Sequence, residues 1–345
     1  MNGLFLNLQQ KLRQPRAWII IFIFITAVIF RLYNYENRIS VENDNSRDAA
    51  VAQYAKDHKQ FFFIGQYSSA GPFFYGPWWY WTLTLVSLLP LGPLTIWYFT
   101  FFLSLLFLWM LFLLGVELGG HGLGIIVILL GAISPAQIGN SIAVWNPVVV
   151  PLLSVFILYI LVKYIKTIDN KYACLLGFFL GLAISIHFQS LLLVPILFPV
   201  IFLAKKKFKT IVLMIFYFSL PFLTLLMFDL MFDWINSRAL WQYLTVGQYA
   251  IWVPNRWLTY AFDYWPKTWA FIIGGSRFMA IGLIGMWITI AVVSMRKIHQ
   301  NMSFSIVSLI FILEIILYRY FRGERFSYYS YFAHPYVLIF SAYII

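Results

Sequence analysis

Long apolar runs that carry almost no charge constrain this chain more than any other feature. Hydrophobic residues make up 62% of its 345 positions and charged residues only 10%, whereas a soluble globular domain carries about 25% charged residues. A soluble protein of this length would lack the polar residues to cover its surface. The runs are continuously apolar and do not alternate as the strands of a transmembrane barrel do. The sequence therefore predicts an all-α polytopic membrane protein.

The basic residues determine which apolar runs cross the membrane, because Lys and Arg collect in cytoplasmic loops. The apolar runs are 17–32, 73–92, 94–115, 120–138, 147–162, 172–187, 189–204, 209–228, 269–294, 302–318 and 336–345. If every run crossed and the N-terminus were cytoplasmic, the basic clusters at 163–171, 205–209 and 296–297 would all face outward. Removing one early crossing returns all three clusters to the cytoplasm. The net charge of +12 thus reports topology, and we expect no nucleic-acid partner.

Run 73–92 is the run least able to cross the membrane, since Pro72 precedes it and Pro77 and Pro90 interrupt it. We predict a juxtamembrane or re-entrant helix there. Residues 1–345 then form a single transmembrane domain of about nine or ten spans. The run that ends at Ile345 is too short to cross, which predicts a truncated form of a longer protein or a half-inserted helix. The outer segments are 33–72 with juxtamembrane helices up to 92, a short one around 134–147, then 229–268 and 319–335.

The first outer loop, 33–72, holds the densest set of carboxylates. The sequence from Asp44 to Gln60 predicts a helix on which Asp44, Arg47 and Asp48 share one face, because they are three and four positions apart. A carboxylate at the membrane surface can serve as a general base. Arg47 can either pair with these carboxylates or bind a phosphate through its planar fork. The pattern favours a phosphorylated lipid donor and a hydroxyl acceptor.

Several motifs occur in an order that resembles a known family. Residues 42–49 (ENDNSRDA) look like the first-loop motif of bacterial GT-C fold glycosyltransferases, family 39-like, which are related to protein mannosyltransferases and aminoarabinose transferase. The further matches are Gly71-Pro72 to Tyr75 with Gly76-Pro77-Trp78, Ser134-Pro135, Trp145-Asn146-Pro147, His187-Phe188-Gln189, and Arg325 to Tyr329 with His334-Pro335. Asn146 departs from distant relatives that carry an aspartate near this point, which puts metal binding there in doubt.

The resemblance implies a GT-C-like bundle and transfer of a sugar from a polyprenyl-phosphate donor to a hydroxyl of a lipid, glycan or protein acceptor. It implies that Asp44 is the general base of an inverting reaction and that Asp48 orients Asp44 or a divalent cation such as Mg²⁺ or Mn²⁺. It also implies a bacterial inner membrane location with an extracytoplasmic site. The substrate-binding residues expected on this basis are Arg47, Tyr75, Trp145, Asn146, His187, Arg322 and Arg325.

Two other functions use similar lipid-linked sugars. A flippase would line a path across the membrane with charged side chains, and the nearly charge-free spans count against it. A surface-polysaccharide polymerase would rely on arginines in late outer loops, and the cluster at 319–325 is consistent with that function. The carboxylates of the first outer loop favour the transferase.

The topology can be tested by labelling single cysteines at positions 44 and 206, after replacement of the only natural cysteine, Cys174. We expect a membrane-impermeant thiol reagent to label Asp44→Cys from outside and Lys206→Cys only after the membrane is opened, because basic loops remain cytoplasmic. Labelling of both positions from the same side would contradict the map.

Overall fold

Helices form nearly all of the regular structure. The computed structural model describes residues 15–69, 71–249, 257–297, 301–321, 325 and 327–345. Its α-helices are α1 (Pro15–Leu32), α2 (Asp44–His58), α3 (Trp78–Ser87), α4 (Thr95–Ile133), α5 (Pro135–Asn140), α6 (Val150–Thr167), α7 (Asn170–Ile186), α8 (Leu197–Leu203), α9 (Lys207–Ser219), α10 (Leu223–Met231), α11 (Ile235–Thr245), α12 (Trp257–Thr259), α13 (Trp265–Ile273), α14 (Arg277–Arg296), α15 (Met302–Arg319) and α16 (His334–Ile344). The shorter helical turns are Tyr35–Asn37, Asn146–Val149, Phe188–Ile196, Leu220–Phe222, Gly247–Tyr249, Tyr260–Tyr264 and Ser327–Ala333.

Six helical segments are long and apolar enough to cross a membrane. They are Pro15–Leu32, Thr95–Ile133, Asn146–Thr167, Lys207–Met231, Arg277–Arg296 and Met302–Arg319. Two shorter apolar segments, Asn170–Ile186 and Phe188–Leu203, lie between them in the chain. The expected all-α polytopic membrane fold is confirmed.

The longest segment, α4, is a hairpin of two antiparallel helices. Its backbone leaves the helical region at Gly119 and Gly120, and the φ of 81° at Gly120 is one that glycine adopts without steric cost. Gly115 and Gly124 face each other across the turn, where a Cβ on Gly115 would approach the Gly124 Cα to 2.8 Å. The two halves of α4 therefore run in opposite directions through the bundle.

The structure confirms that run 73–92 does not cross. Its only helix, α3, has 10 residues, half of the roughly 20 that a crossing requires. The helix α3 packs instead against α2 of the first outer loop and against α4. Trp79 of α3 is almost fully buried in this packing. Segment 33–92 thus carries two short helices, α2 and α3, where the sequence predicts helices.

Two of the three basic clusters lie at one end of the bundle, which we call the basic end. Lys163 and Lys166 at the C-terminal end of α6 each form an ion pair of 2.8 Å with Glu117, beside the turn of α4. Thr210 at the start of α9 donates a hydrogen bond to Asn170 at the start of α7. The clusters at 163–171 and 205–209 therefore share one end, as expected.

The opposite end, which we call the site end, is held together by Arg31 of α1. This side chain is fully buried, and it donates to Ser104 Oγ and to the carbonyl oxygens of Ala27, Gly131 and Ala132. Backbone carbonyls near helix ends lack partners within their own helix. Arg31 satisfies two of them, those of Gly131 and Ala132, and also bonds to Ser104, so it fixes α1 against both halves of α4.

The approach of the first outer loop to α7 depends on Gly76. Its N–H donates to the Ser185 carbonyl at 2.7 Å, and a Cβ on Gly76 would collide with Ser185 Oγ. We expect Gly76→Ala to lower the thermal stability of the purified protein, by about 1–3 kcal/mol as for other overpacked sites.

Removal of the Ser185 hydroxyl should relieve that collision, so the double variant Gly76→Ala/Ser185→Ala should regain most of the loss. Gly285→Ala is the matched control, since an added Cβ there meets no atom within 4 Å. Equal melting temperatures for Gly76→Ala and Gly285→Ala would refute the close contact.

Candidate active site

The three charged residues at the start of α2 form one ion-pair network. Arg47 donates from Nε at 2.9 Å and from one terminal nitrogen at 2.7 Å to Asp48 Oδ1. Its other terminal nitrogen donates at 2.6 Å to Asp44 Oδ1. Both carboxylates therefore hold the same guanidinium group, as their spacing on one helix face predicts.

The two carboxylates of this network differ in exposure. The Asp44 side chain is 45% exposed and the Asp48 side chain is 0% exposed. Asp44 uses one oxygen for Arg47, and its Oδ2 has no hydrogen-bond partner among the described residues. Asp44 is thus the carboxylate that a substrate can reach, whereas Asp48 can act only through its neighbours.

Two neutral donors hold Asp48 from the other side. Gln66 Nε2 donates to Asp48 Oδ2 at 3.2 Å, and Trp79 Nε1 donates to the same oxygen at 3.1 Å. Burial raises the pKa of Asp48 to about 6, although Arg47 and Gln66 favour its ionised form. At neutral pH the carboxylate is ionised and fixes the guanidinium plane of Arg47.

Asn45 connects this network to the second outer segment. Its Oδ1 accepts from the Val144 N–H at 2.6 Å, and its Nδ2 donates to Ser40 Oγ at 2.9 Å. The Ser40 N–H donates in turn to the Ile142 carbonyl. These contacts bring Trp145 and Asn146 to the same end of the bundle as α2.

Tyr75, His187 and Tyr328 form an aromatic cluster beside the carboxylates. The Tyr75 ring stacks on His187 with centroids 5.6 Å apart, and Tyr328 contacts the edge of His187 at 6.1 Å. Trp145 packs against Tyr328 at 4.8 Å. Burial raises the pKa of the Tyr75 phenol, and the nearby Asp44 carboxylate adds to this shift. Asp44, Tyr75, His187 and Trp145 therefore belong to one neighbourhood.

The other residues expected to bind substrate, Asn146, Arg322 and Arg325, are not part of the aromatic cluster. Asn146 is buried and donates to the Ile186 carbonyl at 2.7 Å, so its amide holds the end of α7. Arg325 lies near α15, where one terminal nitrogen donates to the Arg319 carbonyl at 3.1 Å. Arg322 lies outside the described residues.

The first and third outer segments are joined by Asn236, which the sequence did not single out, and by Asp229, for which the sequence left helix capping and cation binding open. Asn236 accepts from the Phe74 N–H at 2.6 Å and donates to the Phe74 carbonyl at 3.3 Å. Asp229 accepts from the backbone N–H groups of Asn236 and Ser237. Its carboxylate therefore caps α11. Gln66, Trp79, Asn45 and Asn236 form contacts between distant segments, which leave no periodic pattern in a sequence.

The carboxylates do not present a ligand set for a divalent cation. Mg²⁺ and Mn²⁺ prefer several carboxylate, carbonyl and water oxygens. Here one oxygen of each aspartate is bonded to Arg47, and no third His, Cys, Asp or Glu gathers with them among the described residues. The cation that both carboxylates hold is the Arg47 guanidinium, and these residues do not fit a divalent metal ion.

Solved structures share this fold. ArnT from Cupriavidus metallidurans, bound to undecaprenyl phosphate, matches with a TM-score of 0.68 and 11% identity over 96% of this chain and 60% of its own. The apo oligosaccharyltransferase of Archaeoglobus fulgidus matches with a TM-score of 0.58 and 13% identity over 96% of this chain and 50% of its own.

The archaeal oligosaccharyltransferase AglB from the same organism, in complex with an inhibitory peptide and a dolichol-phosphate, matches with a TM-score of 0.55 and 14% identity over 95% of this chain and 50% of its own. The chain thus spans between half and 60% of the length of these proteins. No family model matches the chain, and no curated protein sequence does either. The GT-C fold expected from the sequence is confirmed by these likenesses.

The raised pKa of Asp48 makes the stability of the folded state depend on pH. The folded value of about 6 lies above the ordinary value of 3.8, so the folded state binds the proton more tightly. This contribution to stability is present below about pH 3.8 and is lost as the pH rises through about 6.

We expect the melting temperature of Asp48→Asn in detergent to fall less between pH 4 and pH 7 than that of the natural protein, because asparagine does not titrate. Asp57→Asn changes an exposed carboxylate on the same helix, one that is bound by Gln53. Its melting temperature should change with pH as that of the natural protein does. The same change of melting temperature between pH 4 and pH 7 in all three proteins would contradict the raised pKa.

Proposed function

We propose that this chain is a glycosyltransferase that moves a sugar from a polyprenyl-phosphate donor to a hydroxyl of a lipid, glycan or protein acceptor. The observation that carries the proposal is the exposed Asp44 carboxylate, held by Arg47, which pairs in turn with the buried Asp48 at one end of a membrane bundle. The fold supports it, because ArnT and AglB were each solved with a polyprenyl phosphate.

The chemistry requires one base and stabilisation of one leaving group. Asp44 takes the proton from the acceptor hydroxyl while the acceptor oxygen forms a bond to the anomeric carbon. The bond from that carbon to the phosphate oxygen breaks, and the polyprenyl phosphate leaves with the electron pair. A single displacement of this kind inverts the anomeric configuration. A positioned base contributes about 10²–10⁴-fold to such a step.

Arg47 and Asp48 act as positioning residues in this scheme. Arg47 holds one oxygen of Asp44 and leaves the other available to the acceptor. Two carboxylates share one guanidinium, so the network has more acceptor oxygens than Arg47 binds. Tyr75, His187 and Tyr328 form an aromatic cluster against which Trp145 packs, and Asp44 lies near Tyr75. Aromatic faces suit the apolar face of a sugar ring.

The site end faces away from the cytoplasm in this proposal, and the membrane is a bacterial inner membrane. Lys163, Lys166 and Lys205–Lys207 lie at the opposite end, which the positive-inside rule assigns to the cytoplasm. A flippase is the main alternative. The buried charges Arg31 and Glu314 bond to protein groups, which favours a transferase over a path lined with charge.

The test is turnover of radiolabelled polyprenyl-phosphate sugars by the purified full chain with cell-envelope acceptors. Asp44→Asn should lower the rate by about 100-fold or more, because the amide cannot accept the acceptor proton. Asp57→Asn is the matched control and should transfer normally. Normal turnover by Asp44→Asn would refute the base. Translocation of labelled lipid in vesicles, without consumption of any donor, would support the flippase instead.

A further inference from the structure

The face of α2 that points away from the ion-pair network lines a cavity of about 580 Å³. Four of its lining residues on α2 occur three or four positions apart and so share this face: Ala49, Ala52, Gln53 and Lys56. The segment 87–97, which leads from α3 into α4, forms the other wall. The volume is within the range of about 300–1,000 Å³ that is typical of ligand sites. The cavity can therefore hold a molecule that does not touch Asp44.

The cavity lies at the level of the lipid headgroups at the site end. Thr95 lines the cavity, and Glu117 on the same helix lies at the basic end. The two residues are 22 positions apart, which is about 33 Å along a helix and close to the roughly 30 Å thickness of a bilayer core. Leu88, Leu89 and Leu91 beside the cavity are 60%, 52% and 62% exposed. These leucines can contact the ends of acyl chains nearest the headgroups.

Lys56 supplies an unpaired positive charge to the cavity. Its partly buried side chain is in the lining, and its ammonium group has no partner among the described residues. The described lining contains neither Asp nor Glu. Asp57 is next to Lys56 in the chain, but it is outside the lining and accepts from Gln53 with both oxygens. The cavity therefore suits an anion, and a lysine ammonium binds phosphate as a compact charge.

The start of α4 adds hydrogen-bond donors to the same cavity. No side chain caps this helix. Ile96 and Trp97 line the cavity, and their backbone N–H groups have no partner in the part of the chain that the structure describes. The first N–H groups of a helix carry partial positive charge and stabilise a nearby anion. They therefore favour the same kind of ligand as Lys56.

Three polar side chains in the lining keep acceptor oxygens. Ser87 Oγ and Thr95 Oγ1 each donate to a backbone carbonyl, so each hydroxyl has used its proton and retains lone pairs. Gln53 donates through its amide nitrogen, and its Oε1 has no donor among the described residues. Hydroxyl groups on a ligand would donate to these oxygens. The lining thus suits a headgroup that combines a phosphate with hydroxyls.

We propose that this cavity binds the headgroup of phosphatidylglycerol, with the phosphate at Lys56 and the acyl chains against the leucines at 88–91. The headgroup glycerol supplies hydroxyl donors to Ser87, Thr95 and Gln53. Phosphatidylethanolamine fits less well, because its ammonium group would enter a cavity that already contains Lys56. The bound lipid packs on α2 from the side away from Asp44 and stabilises the helix that carries this carboxylate. The site does not depend on the proposed sugar transfer.

A second cavity fits an anionic headgroup less well. It has a volume of about 410 Å³ and lies between α7, α10 and α11. Its described lining contains the carboxylate of Asp229 and neither Lys nor Arg. A phosphate placed there would meet no cation, so charge complementarity selects the cavity beside Lys56.

Photo-crosslinking locates the lipid without requiring turnover. The full chain in detergent is irradiated with phosphatidylglycerol that carries a diazirine in one acyl chain, and the labelled peptides are identified by mass spectrometry. We expect labels within 85–97. Labels confined to 219–240, in the second cavity, or to the lysines at 205–209 would overturn the assignment.

Native mass spectrometry of lipid binding tests the role of the charge. We expect the natural protein to bind phosphatidylglycerol about tenfold more tightly than phosphatidylethanolamine, and Lys56→Gln to bind the two lipids alike. Lys205→Gln removes an exposed lysine at the basic end and should keep the tenfold preference. Equal losses in Lys56→Gln and Lys205→Gln would overturn the site, because the preference would then reflect the net charge of the protein.

A variant that fills the cavity gives an independent test. Ala50 is exposed and lines the cavity, so Ala50→Phe places a ring there without changing any charge. We expect Ala50→Phe to weaken binding of phosphatidylglycerol about tenfold and to abolish labelling within 85–97. Gly285→Phe, on α14 where an added Cβ meets no atom within 4 Å, should bind as the natural protein does. Natural affinity in Ala50→Phe would refute the proposed site.

Discussion

The arrangement of the site depends on the burial of one carboxylate. Asp48 has no exposed surface, and an ionised group in that position is costly unless several donors reach it. Arg47, Gln66 and Trp79 supply those donors. These bonds also hold the donors in place. Trp79 joins α3 to α2, and Arg47 holds one oxygen of Asp44. The position of the exposed carboxylate is therefore determined by the stabilisation of the buried one.

The rest of the site is assembled by hydrogen bonds between loops. Asn45 joins the first outer segment to the second, and Asn236 joins it to the third. Gly76 allows the first segment to lie directly on the end of α7. Each of these groups satisfies backbone donors or acceptors that would otherwise lack partners. The bundle thus supplies a rigid base on which segments distant in sequence converge.

The sequence predicted those features that depend on neighbouring residues, namely the charge placement between spans and the spacing of residues along one helix. Charge placement removed one crossing, and α3 is indeed too short to span a membrane. Helical spacing predicted that Asp44, Arg47 and Asp48 share a face. The spacing did not reveal that Asp48 is buried, because Gln66 and Trp79 reach it across 18 and 31 positions. Arg31 was missed for the same reason, since its partners on α4 are remote in sequence.

The pH dependence of kcat/KM for sugar transfer tests the central claim most directly. If Asp48 positions Asp44 through Arg47, protonation of Asp48 should release the guanidinium, and kcat/KM should fall as the pH drops below about 6. Asp48→Asn should be slow at every pH and lack that acid limb. A profile that stays flat for the natural protein down to pH 5, or an acid limb that Asp48→Asn retains, would contradict the account.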